Sequence, residues 1–341
     1  MTSESNSLLS VRQLETHFPT DEGTVVAVDG ASFDVRAGKT LGIVGESGCG
    51  KSVTARSILG ILDAPGRIVG GEVWFRANAG GAERLINLAK LDPDGAEMRS
   101  VRGAEIALVF QEPMASFSPV HTIGTQLMEA IRLHRRVTKK EARHLGIEAL
   151  RAVGIPMPEQ RIDAYAFELS GGLRQRAMIA IALSCDPSLL IADEPTTALD
   201  VTTQAQILDL LRQLQQRHQM AIILITHDLG VVAEMADDVV VMYLGRVAER
   251  ASVEDIFHAP KHPYTKALLA SIPSISAEPG GKLTTIAGSV PHPHNRPQGC
   301  PFHPRCPSFM PGICDRAHPQ TVSVGPAHEV SCFLYGGSSG S

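Results

Sequence analysis

Gly45-Glu46-Ser47-Gly48-Cys49-Gly50-Lys51-Ser52 follows the pattern G-x-x-x-x-G-K-[ST], and these are the residue types needed to hold a chain of phosphates. The glycines let the backbone curl so that successive N–H groups face one anion. Lys51 then reaches the β- and γ-phosphates, and the Ser52 hydroxyl holds Mg²⁺. Val53 opens a helix predicted to run to Leu62, with its positive N-terminus aimed at the same charge. Residues 39–44 (KTLGIV) read as a short buried strand feeding the loop. A glycine-rich turn with a surface lysine is the plain alternative, and the strand and helix on either side argue against it.

Three more strand ends carry chemistry. Residues 188–195 (SLLIADEP) form an apolar run closing on two carboxylates: Asp193 is placed to hold Mg²⁺ through water and Glu194 to polarise an attacking water. The run 106–110 (IALVF) ends at Gln111, whose amide is placed to touch a metal or that water. The run 221–225 (AIILI) ends at residues 226–228, which puts His227 where it contacts a γ-phosphate or orients water. At residues 169–176 (LSGGLRQR) a helix begins. Ser170 is suited to cap it, and Gly171 and Gly172 leave backbone N–H groups open, which makes a second anion site. One chain rarely needs two such sites for one nucleotide, so this helix start is expected to cover the γ-phosphate held by a partner subunit. Phe18, 27 positions before Gly45, is a ring suited either to stacking on a nucleobase or to packing on a strand.

The elements that must position these groups follow from the hydrophobic pattern. Residues 8–35 alternate in short runs broken at 20–23 and 29–30, the signals of antiparallel hairpins. Residues 70–75 read as another strand and 77–98 as a polar, glycine-rich loop. Helical spacing over 123–153 predicts an inserted helical subdomain, within about residues 112–175. The turn 196–200, containing Asp200, leads into an amphipathic helix over 202–218, and 239–242 with 246–249 form a closing hairpin that turns at Leu244-Gly245. The expected class is α/β: a phosphate-loop core with an antiparallel β subdomain, the helical insert, and a small Cys-rich C-terminal extension.

Composition bounds the rest. A length of 341 residues suits one large domain plus an appendage, and 43% hydrophobic with 20% charged residues is ordinary for a globular protein. A net charge of −5 and a pI near 6.2 argue against nucleic acid as a partner. No apolar run is long enough to span a bilayer, and the N-terminus lacks the pattern of a secretory leader, so a cytosolic chain is expected. Four of the six cysteines (Cys300, Cys306, Cys314 and Cys332) fall in the last 42 residues, and 13 of 22 prolines lie from Pro260 onward. That shift sets a boundary near 255, with the extension over 256–335, and residues 336–341 (GGSSGS) read as a linker left by cloning. Cysteine clustering in a cytosolic chain favours metal over disulfides. The spacing C-x5-C-x7-C-x17-C leaves zinc and iron–sulfur both open. Cys49 reads as a small residue within the loop.

The set of Gly45 to Ser52, Gln111, Leu169 to Gly172, Asp193-Glu194, Thr197 to Asp200 and His227, in this order, resembles the nucleotide-binding subunits of ATP-binding cassette transporters over roughly residues 8–250. The resemblance implies a head-to-tail dimer with two ATP molecules, each between one subunit's phosphate loop and the other's Ser170-Gly171-Gly172. It implies Glu194 as catalytic base and His227 as γ-phosphate sensor. Leu173 stands where glutamine is common across that family. Residues 262–269 (HPYTKALL) and 299–307 (GCPFHPRCP) narrow the likeness to ATPase subunits of dipeptide and oligopeptide importers. That subfamily implies a [4Fe–4S] cluster on the four tail cysteines, with Zn²⁺ as the alternative. It also implies a second, related ATPase in a heterodimer, two transmembrane permease subunits, an extracytoplasmic substrate-binding protein, and a place at the cytoplasmic face of the membrane. Nickel importers share these features. The competing classes are a soluble cassette ATPase acting on nucleic acid, which predicts basic patches or a coiled-coil insertion, and a sensor without turnover, against which Glu194 and His227 both count.

Overall fold

The structure, a computed structural model, describes residues 7–77, 83–197, 199–272 and 286–336. The expected linker lies outside these from residue 337, as does Ala198 in the turn before Asp200. The chain divides into two compact units: Met1–Leu9, Val35–Thr40 and Trp74–Ile225 form one, and Ser10–Asp34, Leu41–Val73 and Thr226–Ser341 the other. Its strands are β1 (Ser7–Thr20), β2 (Gly23–Arg36), β3 (Thr40–Val44), β4 (Arg67–Ala77), β5 (Arg84–Asn87), β6 (Ile106–Val109), β7 (Leu189–Asp193), β8 (Ala221–Ile225), β9 (Asp238–Tyr243), β10 (Arg246–Ser252), β11 (Thr321–Gly325) and β12 (His328–Ser331).

In the unit that carries the phosphate loop, β3 pairs parallel with β9, from Leu41 opposite Asp238 to Val44 opposite Val241. The sheet continues β9, β10, β12, β11 through antiparallel pairs. All five residues of β3 are buried, as befits a parallel strand covered on both faces. The Cys-rich segment shares this unit's core: Val44, Val241, Tyr243, Ile256, Tyr264, Cys300, Phe302 and Cys314 form one apolar cluster. A hairpin turn does close β1 onto β2 at Asp21-Glu22, but the second turn expected at residues 29–30 is absent and β2 runs straight through it. The reason lies in Asp29. Its N–H donates to the Gly245 carbonyl at 2.9 Å and its carboxylate takes Arg246 Nε at 2.8 Å and Nη2 at 3.1 Å, so both backbone and side chain are spent holding a neighbouring element. The helix after the loop, Lys51–Ile58, stops short of Leu62 because Gly60 turns the chain with φ +59°.

In the other unit β6, β7 and β8 are parallel neighbours, with Ile106 opposite Leu189 and Leu189 opposite Ala221. The helical insert begins with Ile123–His134, capped by Thr122, and Lys139–Ala152, started by a capping box between Thr138 and Glu141. Gly124 and Gly146 let these helices close on Ile162 and Leu127; a Cβ at either would come within 2.5 Å and 2.9 Å of those side chains. The stretch read as a loop at 77–98 instead holds β5 and the start of a helix, Ala96–Val101. Ile86, Leu88, Met98 and Val101 are buried there, an apolar set masked in the sequence by the glycines between 79 and 82. Among the described residues no helix is long and apolar enough to cross a membrane.

Candidate active site

The phosphate loop is tied down by its glycines. A Cβ on Gly45 would lie 2.2 Å from the Met242 carbonyl of β9, and one on Gly50 would lie 2.3 Å from the Ala27 carbonyl. Gly48 has φ +77° with open space around it, a conformation glycine alone adopts without cost. Lys51 is buried and its Nζ donates to the Gly45 carbonyl at 2.7 Å and the Glu46 carbonyl at 3.1 Å. The Gly245 N–H donates to the Cys49 carbonyl at 2.9 Å, and Thr54 N–H closes the first helical bond to Gly50 at 2.9 Å. Burial pushes the Cys49 thiol pKa up, with the Lys51 charge opposing, so this thiol is a neutral packing group. Ser47 is exposed at the loop tip, while Ser52 and Val53 are half-buried in the first helical turn.

His227, of the same unit, is exposed at the end of the run that follows β8, and the next residue, Asp228, accepts Gly230 N–H at 2.8 Å and Val231 N–H at 3.3 Å to cap the helix Leu229–Met235. Phe18 is half-buried on β1 with one ring edge against Gly66, where a Cβ would be 2.4 Å from its Cε1.

Two side chains from segments singled out in the sequence, but given no role at the loop there, reach Glu46. Tyr264 accepts the Glu46 N–H at 2.8 Å through its hydroxyl, and Arg305 forks onto the Glu46 carboxylate. Both come from the C-terminal extension, over 200 residues away in the chain, so no local pattern could have paired them.

In the other unit, Asp193 ends β7, buried and in register with Ile225. Glu194 follows with φ +47°, its N–H on the Ile225 carbonyl at 2.9 Å. Its Oε2 accepts Gln111 Nε2 at 3.0 Å and Thr197 Oγ1 at 2.8 Å. Two donors on one oxygen restrain the orientation of the carboxylate. Asp200 caps the helix Val201–His218, accepting Thr203 N–H at 3.0 Å and the Thr203 hydroxyl at 2.7 Å; those hydrogen bonds set its carboxyl below the usual range. Ser170 is exposed at the N-cap of the helix Gly171–Leu183, yet its side chain makes no capping bond, contrary to the expectation. Gly172 is packed so tightly that a Cβ would meet Thr203 Cγ2 at 2.8 Å, while Gly171 has only Leu199 at 3.8 Å.

The four tail cysteines line one small hollow, open in part to solvent, together with His262, Phe302, Met310 and Phe333. Gly299 lets this happen: with φ +71° it brings Cys300 N–H onto the Cys314 carbonyl at 2.7 Å, where a side chain at 299 would collide. β12, paired to β10, delivers Cys332. Burial pushes the Cys300 thiol up to about 11, with the charges of Cys314, Cys332 and Cys306 adding to the rise. Burial also raises Cys306 and Cys332. Among the described residues no three side chains converge as a single metal ion needs, whose thiolates would sit about 2.3 Å from one centre.

Comparison with known proteins gives a consistent result. The family model described as ABC transporter matches residues 28–197, and that of the oligopeptide/dipeptide transporter C-terminal region matches 248–314. The chain is 48% identical to a dipeptide transport ATP-binding protein of Bacillus subtilis, over 96% of this chain and 94% of that one. It is also 48% identical to the dipeptide transport ATP-binding protein of Escherichia coli, over 96% of each. Among solved structures it is similar to a dimeric ATP-binding cassette in a post-hydrolysis state bound to ADP and phosphate, with a TM-score of 0.61 and 25% identity over 72% of this chain and 98% of that one.

Proposed function

The chain belongs to the ATP-binding cassette transporter family as one of its ATPases, and from that premise we propose that it powers import of di- and oligopeptides through separate membrane subunits. It hydrolyses ATP to ADP and phosphate. In this reading Lys51 and the N–H groups of residues 47–52 cradle the phosphates. Ser52, Asp193 and Gln111 would hold Mg²⁺, which when bound would supply positive charge beside the phosphoryl group. Glu194 accepts a proton from the attacking water, His227 contacts the γ-phosphate, and Phe18 stacks on the base. Ser170, Gly171 and Gly172, with Asp200, whose neighbours Leu199 and Thr203 lie against the two glycines, close over the ATP of a partner ATPase. That partner is a related but distinct chain, so the motor is a heterodimer.

Support for hydrolysis rests on one observation above the others: the carboxylate of Glu194 is gripped by Gln111 and Thr197, the restraint a general base needs to act at a fixed position. Support for peptide import comes from near-full-length relatives that are dipeptide transport ATP-binding proteins. Such an ATPase works with membrane permeases and a substrate-binding protein and associates peripherally with the membrane, here at the cytoplasmic face. Cys300, Cys306, Cys314 and Cys332 hold a [4Fe–4S] cluster, whose thiolate bonds cross-link an extension rich in proline.

Reconstitution tests the function. The chain is co-expressed with its membrane subunits and partner ATPase, placed in proteoliposomes with the binding protein, and given labelled dipeptide or nickel. Dipeptide uptake that requires ATP and stops with Glu194→Gln is the expected result. ATP turnover with nickel uptake and no peptide uptake would overturn the peptide assignment.

A further inference from the structure

Glu46, the second residue of the phosphate loop, is held from outside the loop. Arg305 places Nη1 at 2.6 Å from Glu46 Oε2 and Nη2 at 3.0 Å from Oε1, a two-pronged ion pair with the arginine side chain 4% exposed and the glutamate 25%. The guanidinium is fixed on its other edges: Nε donates to the Ala287 carbonyl at 2.9 Å and Nη1 also reaches the Tyr243 hydroxyl at 3.3 Å. Tyr243 itself packs against Tyr264 at 4.7 Å and Phe302 at 5.2 Å between ring centroids. Tyr264 accepts the N–H of the same Glu46. The extension therefore holds one loop residue at both its side chain and its main chain.

The consequence runs inward. The Gly45 and Glu46 carbonyls are the two on which the Lys51 ammonium rests, at 2.7 Å and 3.1 Å. Arg305 sits in a 3₁₀ turn, His303–Arg305, immediately before Cys306. A continuous set of contacts thus leads from the cysteine-lined hollow through Arg305 and Glu46 to Lys51. A buried arginine whose fork matches a carboxylate fixes orientation as well as distance, and an unpaired carboxylate or guanidinium left behind there carries a penalty.

We propose that Arg305 is a positioning residue for nucleotide binding, through which the Cys-rich extension sets the geometry of the phosphate loop in its own chain. This rests on reading residues 45–52 as the ATP site. The test measures ATP–Mg²⁺ and ADP dissociation constants by calorimetry on the full chain, for the wild type, Glu46→Gln, Arg305→Met, Arg305→Lys and the Glu46→Gln/Arg305→Met double variant. Each of the first two substitutions should weaken ATP binding about tenfold. The double variant should be no weaker than the worse single one, because both remove the same contact. Arg305→Lys should recover part of the loss, since an ammonium keeps the charge without the fork. Thermal unfolding of each variant separates this from general collapse, and Glu46→Gln leaves the extension's own residues intact. Unchanged ATP affinity in folded Glu46→Gln and Arg305→Met, or losses that simply add in the double variant, would overturn the proposal. Failure of the folded wild type to bind ATP would instead sink the site assignment on which it rests.

Discussion

Gln111 and Glu194, 83 residues apart in sequence, meet through a 3.0 Å hydrogen bond from the amide of one to the carboxylate of the other. β6 and β7 are adjacent and parallel, so the residues just beyond their C-terminal ends are brought side by side. Thr197 adds a second donor at 2.8 Å from the following turn. A base held this way has its pose set before substrate arrives. Glu194→Gln keeps the shape and removes the proton acceptor, so turnover should fall by about 100- to 10,000-fold while ATP still binds. Phosphate release with parallel nucleotide binding checks it, and a variant retaining more than a tenth of the rate would remove Glu194 from the role of base. Thr197→Val should cost about 3- to 10-fold in turnover, as expected for losing one hydrogen bond to the carboxylate.

The loop glycines are unequal. At Gly45 a side chain would stand 2.2 Å from the Met242 carbonyl, a backbone atom of a buried strand, whereas at Gly48 nothing lies within 4 Å. Gly45→Ala must therefore displace β9 or the loop, and ATP binding should be lost. Gly48→Ala carries the left-handed backbone penalty of about 1 kcal/mol, and it should fold and bind more weakly. Melting temperature and ATP affinity of the two variants are the readout. Equal behaviour would mean that the contact with Met242 does not restrain the loop.

How much of this was legible beforehand depended on distance along the chain. The loop of residues 45–52 and the strand before it could be read because the chemistry sits in consecutive residues and β3 is apolar at nearly every position. Strand-end placement likewise pointed to Gln111, Asp193 and His227. The clamp on Glu46 was invisible, since Arg305 lies 259 residues away and its segment, though it narrows the family likeness, says nothing of a carboxylate in the loop. Thr197 is three residues from Glu194, yet only the turn's geometry aims its hydroxyl at the carboxylate. The expected cap by Ser170 failed for a related reason: position favours the residue type, but the rotamer answers to its surroundings. Asp29-Gly30 carries a strong turn signal, which the tertiary contacts with Gly245 and Arg246 override.

The cysteine hollow makes a prediction with a visible readout. Protein purified without oxygen should be brown and contain about four iron and four sulfide per chain, as an all-thiolate cubic cluster requires. Cys314→Ser, which removes a thiol from the hollow's wall, should lose the colour and most of the iron. A colourless wild type with one zinc would replace the cluster with a single-ion site and require the four thiols to draw together.

His262 gives the fold a defined response to acid. Its Nδ1 accepts the Tyr264 N–H at 3.0 Å and so caps the helix Pro263–Ala270, which a protonated ring could not do. Burial pushes its pKa down from 6.5 to about 4, against the opposing pull of the Glu249 carboxylate and a hydrogen bond with the Ser331 main chain. The unfolded chain binds a proton at this histidine below pH 6.5 that the folded chain refuses until about pH 4. This contribution to stability is therefore complete above pH 6.5 and declines as pH falls through that window, by about 1.4 kcal/mol per unit and about 3 kcal/mol in all. His262→Asn retains a side-chain acceptor at the cap and has nothing to titrate. Its stability in urea, whatever its constant offset from the wild type, should fall less steeply between pH 7 and pH 4. Parallel acid profiles for the two proteins would show that the ring is protonated in the folded state and that the Tyr264 N–H is satisfied some other way.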